Sequence, residues 1–164
     1  MSQSVVPVVA EKQIDPSPTL TFEEYRFYQT DSDLQYELYK GKLIPMPTAT
    51  VLHIKICEYL VYKLQCYLAE HNLELVAKTG LGVRTEEDKS RIPDVVVCTQ
   101  SLLEQAAARP GAGILDFEEK PLLVIEVVSQ NRRADYVIKR AEYELANVPE
   151  YTIVDPTPNK ELVR

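Results

Sequence analysis

Two carboxylates interrupt segments that are otherwise strongly apolar, and they are the first candidates for chemistry. Asp94 comes directly before the β-branched run 95–97, and Glu126 lies inside the apolar run 122–128. A buried carboxylate is costly unless it is paired with a cation, hydrogen-bonded or bound to a metal. Two carboxylates on neighbouring strands could share Mg²⁺, which takes oxygen ligands and acidifies water for attack on phosphorus.

Each carboxylate also has a purely structural interpretation, in which it takes no part in catalysis. Asp94 could open its strand with its carboxylate in solvent. Glu126 could form a buried ion pair with an Arg or Lys of a neighbouring helix. Their separation along the chain is not diagnostic, so the residues alone leave both interpretations open.

Hydrophobic periodicity predicts the elements that would position these groups. Thr21 and Glu24 have the spacing of a capping box, so a short helix is expected from 21 to about 29. Thr50 can cap a helix of about 18 residues, since apolar residues repeat every fourth position over 56–68. Strands are expected at 36–39, 42–44, 73–77, 80–84, 93–98, 122–128 and 151–154, further helices at 101–109 and 134–146, and a hairpin loop at 86–91.

This order of elements predicts one mixed α/β domain over 19–164, with one sheet flanked by helices, after a flexible tail at 1–18. No apolar run approaches the roughly 18 residues of a membrane span, and the first residues lack the pattern of a secretion signal. Cys57, Cys66 and Cys98 are odd in number and form no CxxC pair. We therefore expect buried, reduced thiols and a cytoplasmic location.

The charge balance excludes one class of nucleic-acid binding. The chain has 18 Lys and Arg against 25 Asp and Glu, a net charge of −7, which argues against nonspecific coating of nucleic acid by bulk positive charge. Binding through a local basic patch is still compatible with this charge. The segment 132–140 contains four basic residues, Arg132, Arg133, Lys139 and Arg140, and Asp135 as its one acidic residue. The alternative for this segment is a solvated helix face.

Six short motifs occur in a characteristic order and cover residues from about 20 to 156. They are 36–38 with 41–43, 47–53, 91–97, 124–129, Asp135 with Lys139 and Tyr143, and 148–156. No single motif is specific, but the ordered set resembles the Uma-type family of restriction-endonuclease-like proteins, within the PD-(D/E)XK nuclease superfamily. The resemblance implies a restriction-endonuclease-like fold, a central mixed sheet with helices on both faces, and metal-dependent cleavage of DNA phosphodiester bonds.

The resemblance also assigns roles to individual residues. Asp94 matches the Asp of the motif and Glu126 its (D/E) position, which implies that both bind Mg²⁺, with Mn²⁺ as the alternative ion, as catalytic ligands. Glu37 matches an early Glu of the family, a candidate outer ligand or an acceptor for metal-bound water. Its alternative is an ordinary surface residue of the first hairpin.

One departure from the superfamily pattern concerns its lysine. The position two residues after Glu126 is Val128 instead of Lys, and Lys139 on the next helix is the obvious substitute. The alternative is a surface Lys139 paired with Asp135 at i, i+4, which is worth only a few tenths of a kcal/mol.

Four further residues are candidates for substrate binding. His53 at the start of the long helix could contact a carboxylate or a phosphate, or simply pack. Ser129 ends the strand of Glu126, where a hydroxyl could reach a phosphate, and Arg132 and Arg133 begin the basic segment. Tyr143 is expected in the core.

The expected function is therefore a Mg²⁺-dependent endonuclease acting on DNA, with a homodimer expected by analogy with the superfamily. The alternative is a catalytically inactive nuclease fold that binds DNA or a protein partner, and hydrolysis of a smaller phosphoester is a third possibility. Because the family usually continues beyond the strand that ends before Asp155, the chain is expected to lack the family's last strands.

Overall fold

A computed structural model describes residues 19–29, 34–128 and 132–157. The tail expected at 1–18 and the candidate Ser129 lie outside these residues. The elements follow the chain as α1 (Phe22–Arg26), β1 (Tyr36–Tyr39), β2 (Lys42–Pro45), α2 (Val51–Glu70), β3 (Leu75–Lys78), β4 (Gly82–Glu86), β5 (Lys89–Arg91), β6 (Val95–Thr99), α3 (Gln100–Ala107), β7 (Ile114–Leu115), β8 (Leu123–Val127), a π-helical segment (Ala134–Lys139), α4 (Arg140–Leu145) and β9 (Glu150–Val154).

The two predicted helix starts are confirmed by their caps. The Thr21 hydroxyl accepts a hydrogen bond from the backbone N–H of Glu24, and the Glu24 carboxylate accepts one from the backbone N–H of Thr21, which completes the capping box. At the start of α2 the Thr50 hydroxyl accepts a hydrogen bond from the backbone N–H of His53. This cap fixes where the first turn of α2 lies, and with it the backbone of His53.

The strands form two mixed sheets, which confirms the α/β class but divides the single sheet that we expected. One sheet has the order β2-β1-β5-β4-β7 and the other β3-β6-β8-β9. Among the strands of the described residues, only the pairs β4–β7 and β8–β9 are parallel. The chain passes from one sheet to the other between β5 and β6, where Pro93 has no N–H to donate to a strand partner.

Three local predictions are wrong at this level of detail. The run 86–91 contains the strand β5 and not only a loop, and β7 is absent from the predicted elements because two residues are too short to give an alternation signal. The helix expected at 134–146 is π-helical over its first part and α-helical only from Arg140.

The four-stranded sheet is covered on both faces, as the unbroken apolar run of β8 predicted. Val95 and Val97 pack in a cluster with Leu68 of α2. Val96 and Val124 pack on the other face, in a cluster that includes Ala106 of α3 and Tyr143 of α4. The central strands β6 and β8 are therefore fixed from both sides, and they form a rigid base for the residues at their ends.

The thiols only partly follow the expectation. All three cysteines are free, and Cys57 and Cys98 are buried, but Cys66 is exposed on α2. The apolar stripe of a helix covers only part of its circumference, so Cys66 falls outside it. Within the described ranges, no helix has the length and apolar character that a membrane crossing requires.

Candidate functional site

A cleft of about 560 Å³ lies where the start of α2, the ends of β6 and β8 and the π-helical segment meet. Of the predicted site residues, His53, Asp94, Glu126 and Lys139 line it. Arg132 lines it too, on the side of the π-helical segment. Five side chains chosen from distant parts of the sequence are thus brought together in one cavity.

Asp94 is held by two hydrogen bonds and does not point into solvent. Its Oδ1 lies 2.8 Å from Nε2 of His53, and its Oδ2 accepts a hydrogen bond from the backbone N–H of Val127 at 2.6 Å. The side chain is 17% exposed. The interpretation of Asp94 as a solvated strand-start residue is therefore wrong, and His53 contacts a carboxylate instead of serving only as packing.

The carboxyl group of Glu126 is buried, and each of its two oxygens accepts a hydrogen bond. Only 2% of this residue is exposed, and its Oε2 accepts a hydrogen bond from Nζ of Lys139 at 2.8 Å. Its Oε1 accepts one from the hydroxyl of Tyr143 at 3.0 Å. Burial raises the pKa of Glu126 to about 8, while the charge of Lys139 opposes this shift and Asp94 adds to it.

The two interpretations of Glu126 prove to be the same arrangement. A buried ion pair with a Lys from the following helix was the interpretation without chemistry, and its partner is Lys139, the substitute cation that the resemblance implies. Burial lowers the pKa of Lys139, but the charges of Glu126, Glu37 and Asp135 outweigh it and hold this pKa above its ordinary value. The cleft therefore contains a charged ammonium beside the buried carboxyl group of Glu126.

Lys139 contacts both Glu126 and Asp135, the two partners that the sequence offered as alternatives. Its Nζ lies 3.3 Å from Oδ1 of Asp135 as well as 2.8 Å from Glu126, and its side chain is 14% exposed. A purely surface role for Lys139 is therefore wrong. Because Lys139 ends the π-helical segment, the wider winding of this segment sets the direction from which the side chain enters the cleft.

The pairing of β6 with β8 relates Asp94 to Glu126. Val95 lies opposite Ile125 in antiparallel register; Asp94 immediately precedes Val95 and Glu126 immediately follows Ile125, so both adjoin the last pair of the ladder. The two carboxylates repel each other electrostatically, which is consistent with this proximity.

Glu37 is buried beside the cleft and is not a surface residue of the hairpin. It is 7% exposed, and its Oε2 accepts a hydrogen bond from Nη1 of Arg91 at 2.8 Å. Its Oε1 accepts one from the backbone N–H of Ile92 at 3.1 Å. Arg91 in turn donates from Nε and Nη2 to both oxygens of Glu142, at 2.6 and 2.8 Å. This network holds the residues that lead into Asp94.

The remaining candidates lie along the basic segment. Arg132 forms an ion pair with Asp155 and donates a hydrogen bond to the hydroxyl of Thr157 at 3.0 Å. Arg133 is exposed. Ser129, the fourth candidate for substrate binding, falls in the part of the chain that is not described.

Four residues of this region were not predicted as functional. Arg91 lies in a matched motif, and Glu142 is three residues after Lys139 on the same helical stretch, yet neither position signals the pairing. Tyr143 is buried as predicted, but its hydroxyl also donates a hydrogen bond to Glu126. Cys57, expected only as a buried thiol, lies with His53 and Asp94 so that their donor atoms are all within 4.8 Å of one another.

Comparison with known proteins identifies a family and similar solved structures. The Uma2 family model, described as "putative restriction endonuclease", matches residues 22–163. A crystal structure described as "a putative nuclease belonging to DUF820" from Anabaena variabilis ATCC 29413 is similar, with a TM-score of 0.61 and 20% sequence identity over 88% of this chain and 83% of that chain. No curated protein matches the chain. The fold is therefore restriction-endonuclease-like, and the chain belongs to the Uma2 family.

Proposed function

We propose that this protein is a metal-dependent endonuclease that hydrolyses phosphodiester bonds of DNA. The observation that carries the proposal is the Glu126–Lys139 pair, placed beside Asp94 in one cleft. Two carboxylates at the ends of neighbouring strands with one ammonium group match the parts that metal-assisted phosphoryl transfer needs. Membership of the Uma2 family supports the same reaction class.

The donors of the cleft fit a hard divalent cation. Asp94 and Glu126 present only oxygen atoms, which Mg²⁺ prefers and Mn²⁺ also accepts. Each carboxylate oxygen has one protein hydrogen bond and retains a further lone pair. When bound there, such a cation would polarise a phosphoryl oxygen and acidify a water molecule.

The chain's own residues supply orientation and charge. His53 and the backbone N–H of Val127 fix the carboxylate of Asp94, while the hydroxyl of Tyr143 fixes that of Glu126. Lys139 brings the positive charge that stabilises the developing negative charge of the phosphate. Glu37 acts as a positioning residue, because it reaches the cleft through Arg91 and the backbone of Ile92.

Substrate binding is proposed for the basic side of the cleft. Arg132 and Arg133 would contact phosphates of the DNA backbone, and Ser129 would contribute a hydroxyl. Only local neutralisation is needed, so the net charge of −7 is compatible with this mode of binding. The cytoplasm, where thiols stay reduced, is the location that accompanies this proposal, and a homodimer stays a prediction by analogy.

Nicking of supercoiled plasmid DNA tests the proposal. The wild type should nick DNA with Mg²⁺ or Mn²⁺ and not with a chelator, and Asp94→Asn should lose at least about 100-fold of this rate, since the ligand charge is gone. Asp88→Asn, an exposed carboxylate on the β4–β5 turn, is the matched control and should keep full activity. Equal rates for the wild type and Asp94→Asn would reject the proposal.

A binding module on a nuclease scaffold is the second candidate function. It is favoured by Val128, which stands where the superfamily has its lysine, and by the pairing of both oxygens of Glu126 within the protein. This candidate predicts DNA binding in a fluorescence anisotropy titration together with no cleavage in either metal. Metal-dependent nicking that Asp94→Asn abolishes would exclude it.

A further inference from the structure

His53, Cys57 and Asp94 form a second cluster of metal-binding side chains at the edge of the cleft. Their donor atoms, a ring nitrogen of His53, Sγ of Cys57 and a carboxylate oxygen of Asp94, all lie within 4.8 Å of one another. His53 and Cys57 are four residues apart on α2, so both side chains leave the same face of the helix. Asp94 approaches from the start of β6.

The chemistry of these donors differs from that of the Asp94–Glu126 pair. One nitrogen, one sulfur and one oxygen are the ligand types that Zn²⁺ takes in tetrahedral sites, and three protein ligands leave a fourth position for water. Mg²⁺ by contrast binds oxygen ligands. We propose that His53, Cys57 and Asp94 form a binding site for a transition-metal cation of the Zn²⁺ type.

The spacing of the three donors is comparable to that of the ligands of a tetrahedral ion. Zn²⁺ bonds of about 2.0–2.3 Å in a tetrahedron place neighbouring donors about 3.3–3.8 Å apart. Nε2 of His53 lies 2.8 Å from Oδ1 of Asp94, and no pair among the three donors exceeds 4.8 Å. The observed distances therefore bracket the spacing that a tetrahedral ion requires.

Two protons must change place when the ion binds. In the contact with Asp94, the Nε2–H of His53 donates, so the imidazole proton has to reside on Nδ1 before Nε2 can act as a ligand. The thiol of Cys57 loses its proton to solvent, and a sulfur–metal bond replaces the S–H bond. No electron is transferred, and the cleft gives the ion access because His53 and Asp94 both line it.

Asp94 belongs to both ligand sets, and this has a consequence that rests on the proposed function. A Zn²⁺-type ion at His53 and Cys57 would hold the carboxylate that the catalytic cation also needs. The two ions would therefore compete, and the site would make the nuclease sensitive to transition metals. The binding site itself does not depend on catalysis, so it can be tested without DNA.

Titration of the full chain with Co²⁺, followed by absorbance, tests the site directly. A Co²⁺–thiolate bond gives a charge-transfer band in the near ultraviolet, and the wild type should develop this band to one equivalent and lose it when Zn²⁺ is added. Cys57→Ser should show no band. A wild type without a saturable band, or a folded Cys57→Ser with the same band, would overturn the proposal.

Two control variants separate this site from its neighbours. Cys66→Ser removes an exposed thiol of the same helix and should keep the band. Glu126→Gln removes the proposed catalytic ligand and should keep it as well, because Glu126 is not among the three donors. Loss of the band in either control would contradict the assignment.

His53→Gln keeps the test decisive if Cys57→Ser fails to fold. The loss of one of three ligands should weaken Co²⁺ binding by at least about tenfold, because removing even a residue that only hydrogen-bonds to a metal ligand typically costs that much affinity. Unchanged affinity in this variant would overturn the proposal. Circular dichroism of each variant establishes that the fold is retained.

Discussion

Lys139 is the residue on which the proposed chemistry of the cleft depends most. It is the cation beside Glu126, and it approaches from a helix instead of the strand position that Val128 occupies. A preorganised charge next to the reacting phosphate costs no rearrangement during the reaction, which is why such groups contribute strongly to catalysis.

Replacing Lys139 with Ala should lower the rate of plasmid nicking by about 100- to 1000-fold, the usual cost of losing one preorganised electrostatic contact. Stability should fall as well, because Glu126 stays buried without its charged partner. Nicking rates and urea unfolding measure the two effects. Lys120→Ala, an exposed lysine, is the control, and equal nicking by both variants would contradict the role of Lys139.

Arg91 should matter for stability more than any surface cation. It pairs with Glu37 and Glu142, and all three residues are buried. Arg91→Ala should cost about 3–5 kcal/mol in urea unfolding, since it leaves buried carboxylates unpaired. Arg91→Lys should lose part of this, because an ammonium cannot reproduce the two-pronged contact with Glu142. The exposed Lys55→Ala serves as control, and a similar small loss in all variants would refute the prediction.

The sequence identifies some of these residues and not others, for a physical reason. Asp94 and Glu126 are recognisable because a carboxylate in an apolar strand is a local anomaly, and Lys139 follows from the order of motifs. Arg91 pairs with Glu37 54 positions away and with Glu142 51 positions away. No local pattern encodes such partners, because only the packing of β1, β5 and α4 brings them together.

At the scale of elements, the π-helical segment is the feature that positions the site. It spans six residues, from Ala134 to Lys139, and carries both Asp135 and Lys139. Short π-helical stretches arise from one extra residue in a helix and are frequent at functional sites. The sequence predicted a plain helix here, since apolar periodicity does not distinguish a π turn from an α turn. Strong periodicity did predict α2 and β8, whereas the two residues of β7 gave no signal.

Deletion of Val137, an exposed residue in the middle of this segment, should convert it to α-helix. Lys139 would then turn away from Glu126, so nicking should fall to the level of Lys139→Ala while circular dichroism remains that of a folded protein. Val137→Ala, which removes the side chain but keeps the residue count, should retain activity. Full activity of the deletion variant would show that the π winding does not set the position of Lys139.

At the scale of the whole molecule, Asp116 ties distant elements together. Its carboxylate accepts hydrogen bonds from Arg26 of α1 at 2.9 Å and from Arg84 of β4 at 3.0 Å. Partial burial raises the pKa of Asp116, but hydrogen bonds from the backbone N–H of Phe117 and from the two arginines outweigh it and lower the pKa below its ordinary value.

This lowered pKa predicts the direction of an acid effect on stability. A group with a lower pKa in the folded state stabilises the protein above its unfolded pKa and loses that contribution as the pH falls through the folded pKa. The free energy of unfolding of the wild type should therefore fall more steeply below about pH 4 than that of Asp116→Asn. Urea unfolding across this range measures it, with the exposed Asp88→Asn as control. Parallel curves for the wild type and Asp116→Asn would contradict the prediction.

The measurement that tests the central claim most directly compares plasmid nicking by the wild type and Glu126→Gln, each with Mg²⁺, with Mn²⁺ and with a chelator. The account predicts metal-dependent nicking by the wild type and a loss of at least about 100-fold in Glu126→Gln, with Glu118→Gln at an exposed position unchanged. Absence of nicking by the wild type in both metals, or equal rates for the wild type and Glu126→Gln, would contradict it.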